Sequence, residues 1–392
     1  MIIKPKVKNF ICITAHPEGC REHVYQQIQY IKSRPSLRQN QRVLVIGAST
    51  GYGLSSRICA AWGSGSPTIG VCFEKPASGN RTATAGWYNT AAFEEFARED
   101  GLYAKTINGD AFSREIKDEA IALIRKDWGQ VDLVVYSLAA PRRTMPDGTV
   151  CTSVLKTMGD PFTSKSLDLS HNVLTETTVY PADEQEIAAT DHVMGGEDWR
   201  DWMDALKSAG VLSETAGTVA YSYIGPDMTY PIYAGGTIGH AKHHLYETAL
   251  KLHAEGIPAY VSVNKALVTQ SSSAIPIVPL YIAVLYQVMK ETGTHEDTIQ
   301  QMYRLWSEYL PEESPAVDIP NRIRLDDLEM RGDIQAKVLD YWNRLTDESL
   351  EQYADISGYW EDFYHLFGFG FENVDYDMDT EADRRIPSVL TR

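Results

Sequence analysis

Long apolar runs are missing from this 392-residue sequence. None approaches the roughly 20 residues that a helix needs to cross a bilayer. The first residues also lack the apolar stretch and small-residue cleavage site of a secretory leader, so the expectation is a cytoplasmic protein. Cysteine is scarce and odd in number: Cys12, Cys20, Cys59, Cys72 and Cys151 read as reduced thiols, since a chain of this size needs no disulfide to hold a core. Cys12, His16 and Cys20 are evenly spaced, but a fourth ligand is lacking and Cys12 lies in an apolar run, so no zinc site is expected. Basic charge is also short, with 36 Lys and Arg against 53 Asp and Glu and a formal net charge of -17. That balance excludes the positive footprint that nucleic acid or an anionic membrane surface requires. No repeat, low-complexity tract or charged linker divides the chain, so residues 1–392 are expected to form one extended domain.

The sequence does have short apolar strands alternating with helical stretches. RVLVIGAS from Arg42, TIGVCFE, LYAKTI, VDLVVYS, TVAYSY and AYVSVNKA follow one another up to about residue 292. Such alternation predicts an α/β fold, a parallel sheet with helices on both faces. Two regions, about 141–210 and 293–392, interrupt or follow this rhythm and read as elaborations. The first is irregular and ends in a helix with Trp199, Trp202, Met203 and Leu206 on one buried face. IPIVPLYIAVLYQVM, beginning at Ile275, is apolar almost all round and predicts a helix enclosed by the core or lining an apolar tunnel.

The first strand runs into Gly47, Ala48, Ser49, Thr50, Gly51, Tyr52 and Gly53 and then into a helix. This is the glycine turn of a Rossmann-type βαβ unit, where backbone approaches a pyrophosphate and a helix N-terminus supplies N–H groups. The second strand ends at Phe73 and Glu74, whose carboxylate would accept the adenosine ribose hydroxyls and repel a 2′-phosphate, favouring NADH over NADPH. Asp110 and Ala111 follow the third strand and could read the adenine edge. Leu138 and Ala139 follow the fourth, where small groups let a cofactor lie against the backbone. Arg142 and Arg143 beyond them could pair with phosphate groups, or simply form a solvated loop.

A reductase that polarises a carbonyl needs a donor hydroxyl and a cation at the nicotinamide ribose that also lowers the hydroxyl's pKa. Two tyrosine–lysine pairs are available. Tyr286 and Lys290 are one helical turn apart, but they come late, inside the apolar helix. Tyr233 and Lys242 lie between the last two strands of the series, where such a pair belongs. Nine positions on one helix would turn about 900° and put them on opposite faces. Tyr233 must therefore precede the helix, with Gly235 and Gly236 as the break, Thr237 as N-cap and Lys242 early on it.

Tyr233-x8-Lys242, with GASTGYGL, GWYN at Gly86, NGDAF, YSLAAPRRT, VMGGEDW, TIGHAK, SSAIP and GTHE, resembles the trans-2-enoyl-CoA reductase and FabV-type enoyl-[acyl-carrier-protein] reductase family. The likeness runs from MIIKP to GFGFE and VDYD. It implies a single Rossmann-type reductase domain, usually monomeric, that uses NADH to saturate the 2,3 double bond of an enoyl thioester carried by coenzyme A or acyl carrier protein in fatty acid synthesis. Carried over by position, Tyr233 resembles the family's proton donor, Lys242 its cofactor-binding lysine and Tyr223 its substrate-contacting tyrosine. Ala266, Leu267 and Val268 match a cofactor segment, with Thr269 beside the nicotinamide. His243 and His244, and Ala140 in place of a common serine, depart from the pattern. A ketoreductase built on Tyr286 and Lys290, or a non-catalytic NADH sensor, are the competing readings.

Overall fold

The computed structural model describes residues 1–8, 11–37, 40–310, 315–319 and 321–389. Seven strands, β1 (Val43–Ile46), β2 (Thr68–Cys72), β3 (Ala104–Asn108), β4 (Val131–Tyr136), β5 (Leu212–Ser222), β6 (Ala259–Val263) and β7 (Arg322–Arg324), form one sheet in the order β7-β6-β5-β4-β1-β2-β3. Every neighbouring pair is parallel. Chain order reverses between β1 and β4, whose register sets Val43 against Leu133 and Ile46 against Tyr136. A crevice opens at such a reversal beyond the carboxyl ends of the strands.

Side-chain alternation along β1 assigns the helices to their faces. Val43 and Val45 point into a cluster with Val24 and Ile28 of α1 (Pro17–Lys32), Leu54 and Ile58 of α2 (Gly51–Ile58), and Phe93 of α3 (Ala85–Glu99). Leu44 and Ile46 point the other way, into a cluster with Ile124 of α4 (Arg114–Asp127). A short helix, α5 (Glu184–Met194), is followed by α6 (Glu197–Ser208), which brings Trp199, Trp202 and Leu206 to this second cluster, and α7 (Thr237–Ala254) brings Leu245 and Leu252. The expected aromatic face of α6 is thus core packing, with Trp199 Nε1 donating to Thr218 Oγ1 and Trp202 Nε1 to the Ala111 carbonyl. The predicted apolar helix is α8 (Val278–Glu291), buried along nearly its whole length in a third cluster with Ile334, Val338, Tyr359 and Phe363.

Three local expectations are corrected. The span 141–210 is more regular than its polar sequence suggests: residues Arg142–Thr144 pair antiparallel with Val150–Thr152, and Phe162–Asp168 with Val173–Val179, ahead of α5 and α6. The second hairpin is rich in Ser and Thr and half-exposed, so its alternation lacks apolar contrast, and hydroxyls such as Thr163 and Thr178 pair across it at 2.7 Å. The N-cap of α7 is Gly236, not Thr237, because the Thr237 hydroxyl donates instead to the Val154 carbonyl at 2.6 Å. The third correction concerns β7, whose sequence Arg-Ile-Arg has no strand signal and is a strand only through its pairing with β6.

The acidic stretch after residue 375 folds back over the start of the chain. Lys4 and the N-terminal ammonium pair with Asp377 and Asp379, and Trp87 and Tyr88 donate to the carbonyls of Arg384 and Ala382, each at 2.6 Å. Ser388 then closes the edge strand β3: its Oγ accepts the Thr106 N–H at 2.7 Å and donates to the buried Glu94 carboxylate at 2.6 Å. Ser388→Ala should therefore cost about 1–3 kcal/mol, the penalty for leaving buried polar groups short of a partner, seen as a lower urea midpoint with an unchanged slope.

Candidate active site

Backbone approach shapes the floor of the site. Gly47 has φ +84°, and a Cβ there would stand 2.4 Å from the Ser137 carbonyl oxygen; at Gly53 it would stand 1.9 Å from the Gly47 carbonyl oxygen. Only hydrogen fits at either position. Gly51, with φ +52° and nothing within 4 Å of its would-be Cβ, faces open space. It begins α2, whose N-cap Thr50 makes no side-chain cap, so the helix presents uncapped N–H groups where a pyrophosphate would lie.

A cavity of about 910 Å³ opens over this turn. It is bordered by Gly47, Ser49 to Tyr52, Phe73, Glu74, Asp110, Ala111, Leu138, Ala139, Tyr223, Lys242 and Thr269, which brings most of the expected residues together, whereas Gly53 and Tyr233 do not border it. Ala48 lies buried beneath. Glu74 accepts hydrogen bonds from Ser49 Oγ at 2.6 Å and from Thr84 Oγ1. Burial raises its pKa, and those two donors oppose the rise. The GWYN segment serves the same wall: a Cβ on Gly86 would stand 2.0 Å from Glu74 Oε1, and Asn89 Nδ2 donates to the Ser49 carbonyl.

Tyr233 follows a short helical turn, Asp227–Ile232, and precedes α7, off the helix that carries Lys242, as its spacing requires. Its ring meets that of Tyr223 edge to face, with centroids 4.6 Å apart. No described residue hydrogen-bonds its hydroxyl. Burial, and then the charge of Glu329, raise its pKa, so the hydroxyl stays protonated, whereas a lysine-lowered value was expected. Lys242 makes no ion pair with any described residue, and burial lowers its pKa to about 8.

Ala266, Leu267 and Val268 are buried and do not border this cavity. Two of their N–H groups are already engaged, Ala266 with Glu329 and Val268 with Tyr286. Arg143 is likewise not available to a carrier phosphate. It is 3% exposed, contacting the His192 carbonyl, Glu197 and Asp201, which leaves exposed Arg142 on the cavity rim. The rival pair is also spent: Tyr286 is fully buried and donates to Asp362 at 2.6 Å, while Lys290 pairs with Asp355.

Sequence reading missed the group behind Tyr223. Glu329, wholly buried, is hydrogen-bonded to the hydroxyls of Tyr223 and Tyr281 and accepts the Ala266 N–H. Lys265 was missed as well; its Nζ donates to the Ala266 carbonyl at 3.0 Å and burial lowers its pKa to about 8. Tyr52 donates to the Lys265 carbonyl and accepts from Gln301, tying the glycine turn to the loop after β6. No local pattern marks Glu329 or Lys265 as site residues: the first lies in a polar stretch, and the second closes an apolar strand run.

Fold and cavity together define a dinucleotide-dependent reductase architecture, and comparison with known proteins narrows it. The family description "Trans-2-enoyl-CoA reductase catalytic region" matches residues 81–310, and "NAD(P)H binding domain of trans-2-enoyl-CoA reductase" matches residues 2–79. The chain is 52% identical to a trans-2-enoyl-CoA reductase [NADH] of Ruminiclostridium cellulolyticum, over 99% of this chain and 100% of that protein. It is 54% identical to an enoyl-[acyl-carrier-protein] reductase [NADH] of Flavobacterium johnsoniae, with the same coverage. The crystal structure of Clostridium acetobutulicum trans-2-enoyl-CoA reductase in complex with NADH superposes with a TM-score of 0.95 at 44% identity, covering 97% of this chain and 98% of that one. The Treponema denticola enzyme in complex with NAD gives 0.94 at 46% identity, with both chains fully covered. This chain belongs to the trans-2-enoyl-CoA reductase family.

A third description, "Enoyl reductase FAD binding domain", matches residues 317–380. The described side chains there do not fit a flavin. Only Leu366 of that span reaches the large cavity, and the cleft beside Asp362, His365 and Phe371 holds about 300 Å³, small even for a drug-sized ligand. The acids are already bonded, Asp326 to Arg324 and Asp362 to Tyr286.

Glu74→Ala should weaken NADH binding and narrow the preference over NADPH, because it removes both an acceptor and a repelling charge. Fluorescence titration with each nucleotide measures this, and an unchanged ratio would place the ribose elsewhere.

Proposed function

We propose that this chain reduces trans-2-enoyl thioesters to saturated acyl thioesters with NADH, as part of fatty acid synthesis. The observation that carries the reading is the cavity bordered by the glycine turn, Glu74, Tyr223 and Lys242, with the ring of Tyr233 packed edge to face on that of Tyr223. The whole proposed site comes from one domain of one chain, which supports a monomer. Its substrate and NADH are cytoplasmic metabolites, and the proposed location follows from them.

The dinucleotide would lie along Gly47–Gly53, with Glu74, Asp110 and Ala111 at the adenosine and Leu138, Ala139 and Thr269 toward the nicotinamide. Ala266, Leu267 and Val268 would back that end as a buried layer. NADH held there supplies the hydride that C3 of the substrate accepts. Electron density then moves to the thioester oxygen, and a preorganised donor at that oxygen stabilises the transition state more than the ground state. Tyr233, kept protonated by burial, is that donor, and Tyr223 shares the contact. Lys242 holds the ribose through its ammonium form. A proton delivered to C2 completes the reduction.

Tyr233→Phe should lower kcat on crotonyl-CoA by about 10²–10³-fold, the usual loss for one oxyanion donor, with NADH binding intact. Tyr286→Phe should leave turnover far less affected while lowering thermal stability, since it strips the buried Asp362 of its partner. The opposite pattern would move the chemistry to the Tyr286–Lys290 pair and favour a ketoreductase. Absence of any NADH-linked turnover would leave only a sensor. Initial rates on matched coenzyme A and carrier-protein thioesters rank the two carriers.

The pH dependence follows from Lys242. Its pKa lies near 8, so the ammonium is present below that value and lost above it. NADH affinity should fall as pH rises through about 8, and Lys242→Met should flatten this limb. A limb that survives the substitution belongs to Lys265, which titrates in the same range.

A further inference from the structure

Glu329 has no exposed surface, and its two carboxyl oxygens keep different company. Oε2 accepts the Ala266 N–H at 2.7 Å. Oε1 stands 2.7 Å from Tyr281 Oη and 2.9 Å from Tyr223 Oη. Gln335 orients the first of these hydroxyls: its Nε2 donates to Tyr281 Oη at 3.2 Å and to the Glu329 carbonyl at 2.8 Å. Tyr281 therefore directs its own hydrogen to Oε1. Tyr223 has the Tyr281 hydroxyl as a second neighbour, and with Tyr281 turned to Oε1 the direction of the Tyr223 hydrogen depends on the carboxyl proton.

An ionised Glu329 would draw the Tyr223 hydrogen to itself, leaving only lone pairs toward the cavity. A neutral Glu329 can donate from Oε1 to Tyr223 Oη, which frees the phenolic hydrogen for a substrate oxygen. The surroundings favour the neutral acid. Burial raises the Glu329 pKa most and the charge of Asp326 adds to it, against the Ala266 N–H, Lys265 and Tyr281. The Lys265 ammonium is turned to the Ala266 carbonyl. An ionised Glu329 would also raise Tyr233 and Tyr52, which lie within reach of its charge.

We infer that Glu329 is a positioning residue: as a neutral acid it turns the Tyr223 hydroxyl hydrogen toward the thioester oxygen, completing a two-tyrosine oxyanion site. No proton leaves Glu329 in the reaction; the acid only sets a direction. The inference rests on the proposed enoyl-reductase reading.

The experiment is a kinetic cycle on crotonyl-CoA at saturating NADH, with NADH affinity measured separately. Glu329→Leu should lower kcat on the order of tenfold, the worth of one directed hydrogen bond, with the NADH dissociation constant unchanged. Glu329→Gln should recover part of that loss, because its amide can donate to Tyr223 while its oxygen faces the Ala266 N–H. The double variant Tyr223→Phe/Glu329→Leu should be no slower than Tyr223→Phe alone, since both changes remove the same interaction. Multiplying losses, a fully active Glu329→Leu, or a Glu329→Gln as slow as Glu329→Leu would each overturn the inference. Should Glu329→Leu fail to bind NADH, Tyr281→Phe provides the same cycle, slower in the wild-type background and neutral in Tyr223→Phe. An inactive wild type would sink the enoyl-reductase reading itself. Normal turnover by Tyr223→Phe beside an impaired Tyr233→Phe would sink only the role of Glu329.

Discussion

The architecture depends on three pieces of backbone lying closer than any side chain permits. Gly53 rests against the Gly47 carbonyl, and Gly47 against the Ser137 carbonyl. These contacts let α2 begin directly above the end of β1, with β4 ending alongside. The crevice between β1 and β4 is then floored by peptide groups instead of side chains, which is what an anionic, polar ligand requires. Tyr52 extends this constraint: through its hydrogen bonds to Lys265 and Gln301, the position of the turn is transmitted to the loop that carries Thr269.

At the other end of the cavity the controlling quantity is burial. Tyr223, Tyr233, Tyr281 and Glu329 are shifted in the same direction, each toward its neutral form, with desolvation as the largest cause. A cluster of acids shifted toward their neutral forms differs from the charged constellations that sequence inspection favours. It offers donors whose protons stay in place across the physiological range, and little reorganisation is needed when negative charge appears on a substrate. Lys242 and Lys265 supply the positive field beside it, and both are themselves moved toward neutrality.

What the sequence made legible was whatever is local. Six strands of the sheet announce themselves as short apolar stretches between helical ones, and the glycine spacing after β1 carries its own mechanism. The nine-residue separation of Tyr233 and Lys242 forced the tyrosine off the helix, and Gly235 and Gly236 showed where. The misses have a common cause. β7 is held by its neighbour, not by its own composition. Arg143 reads as a solvated cation until α5 and α6 fold over it. Glu329 sits in RLDDLEMRG, a stretch that looks like surface, and becomes a site residue only because three distant segments converge on it. Contacts spanning the chain leave no trace in spacing or periodicity.

The closure of β3 by Ser388 bears on how the molecule is made. Thr106 and Ser388 are 282 positions apart, and Trp87 and Tyr88 likewise wait for carbonyls nearly 300 residues downstream. The nucleotide half leaves the ribosome before residues 382–388, so its outer edge and the flank of α3 stay open to solvent until those residues have been synthesised. During translation that half carries an unpaired strand edge of the kind that invites pairing with other chains.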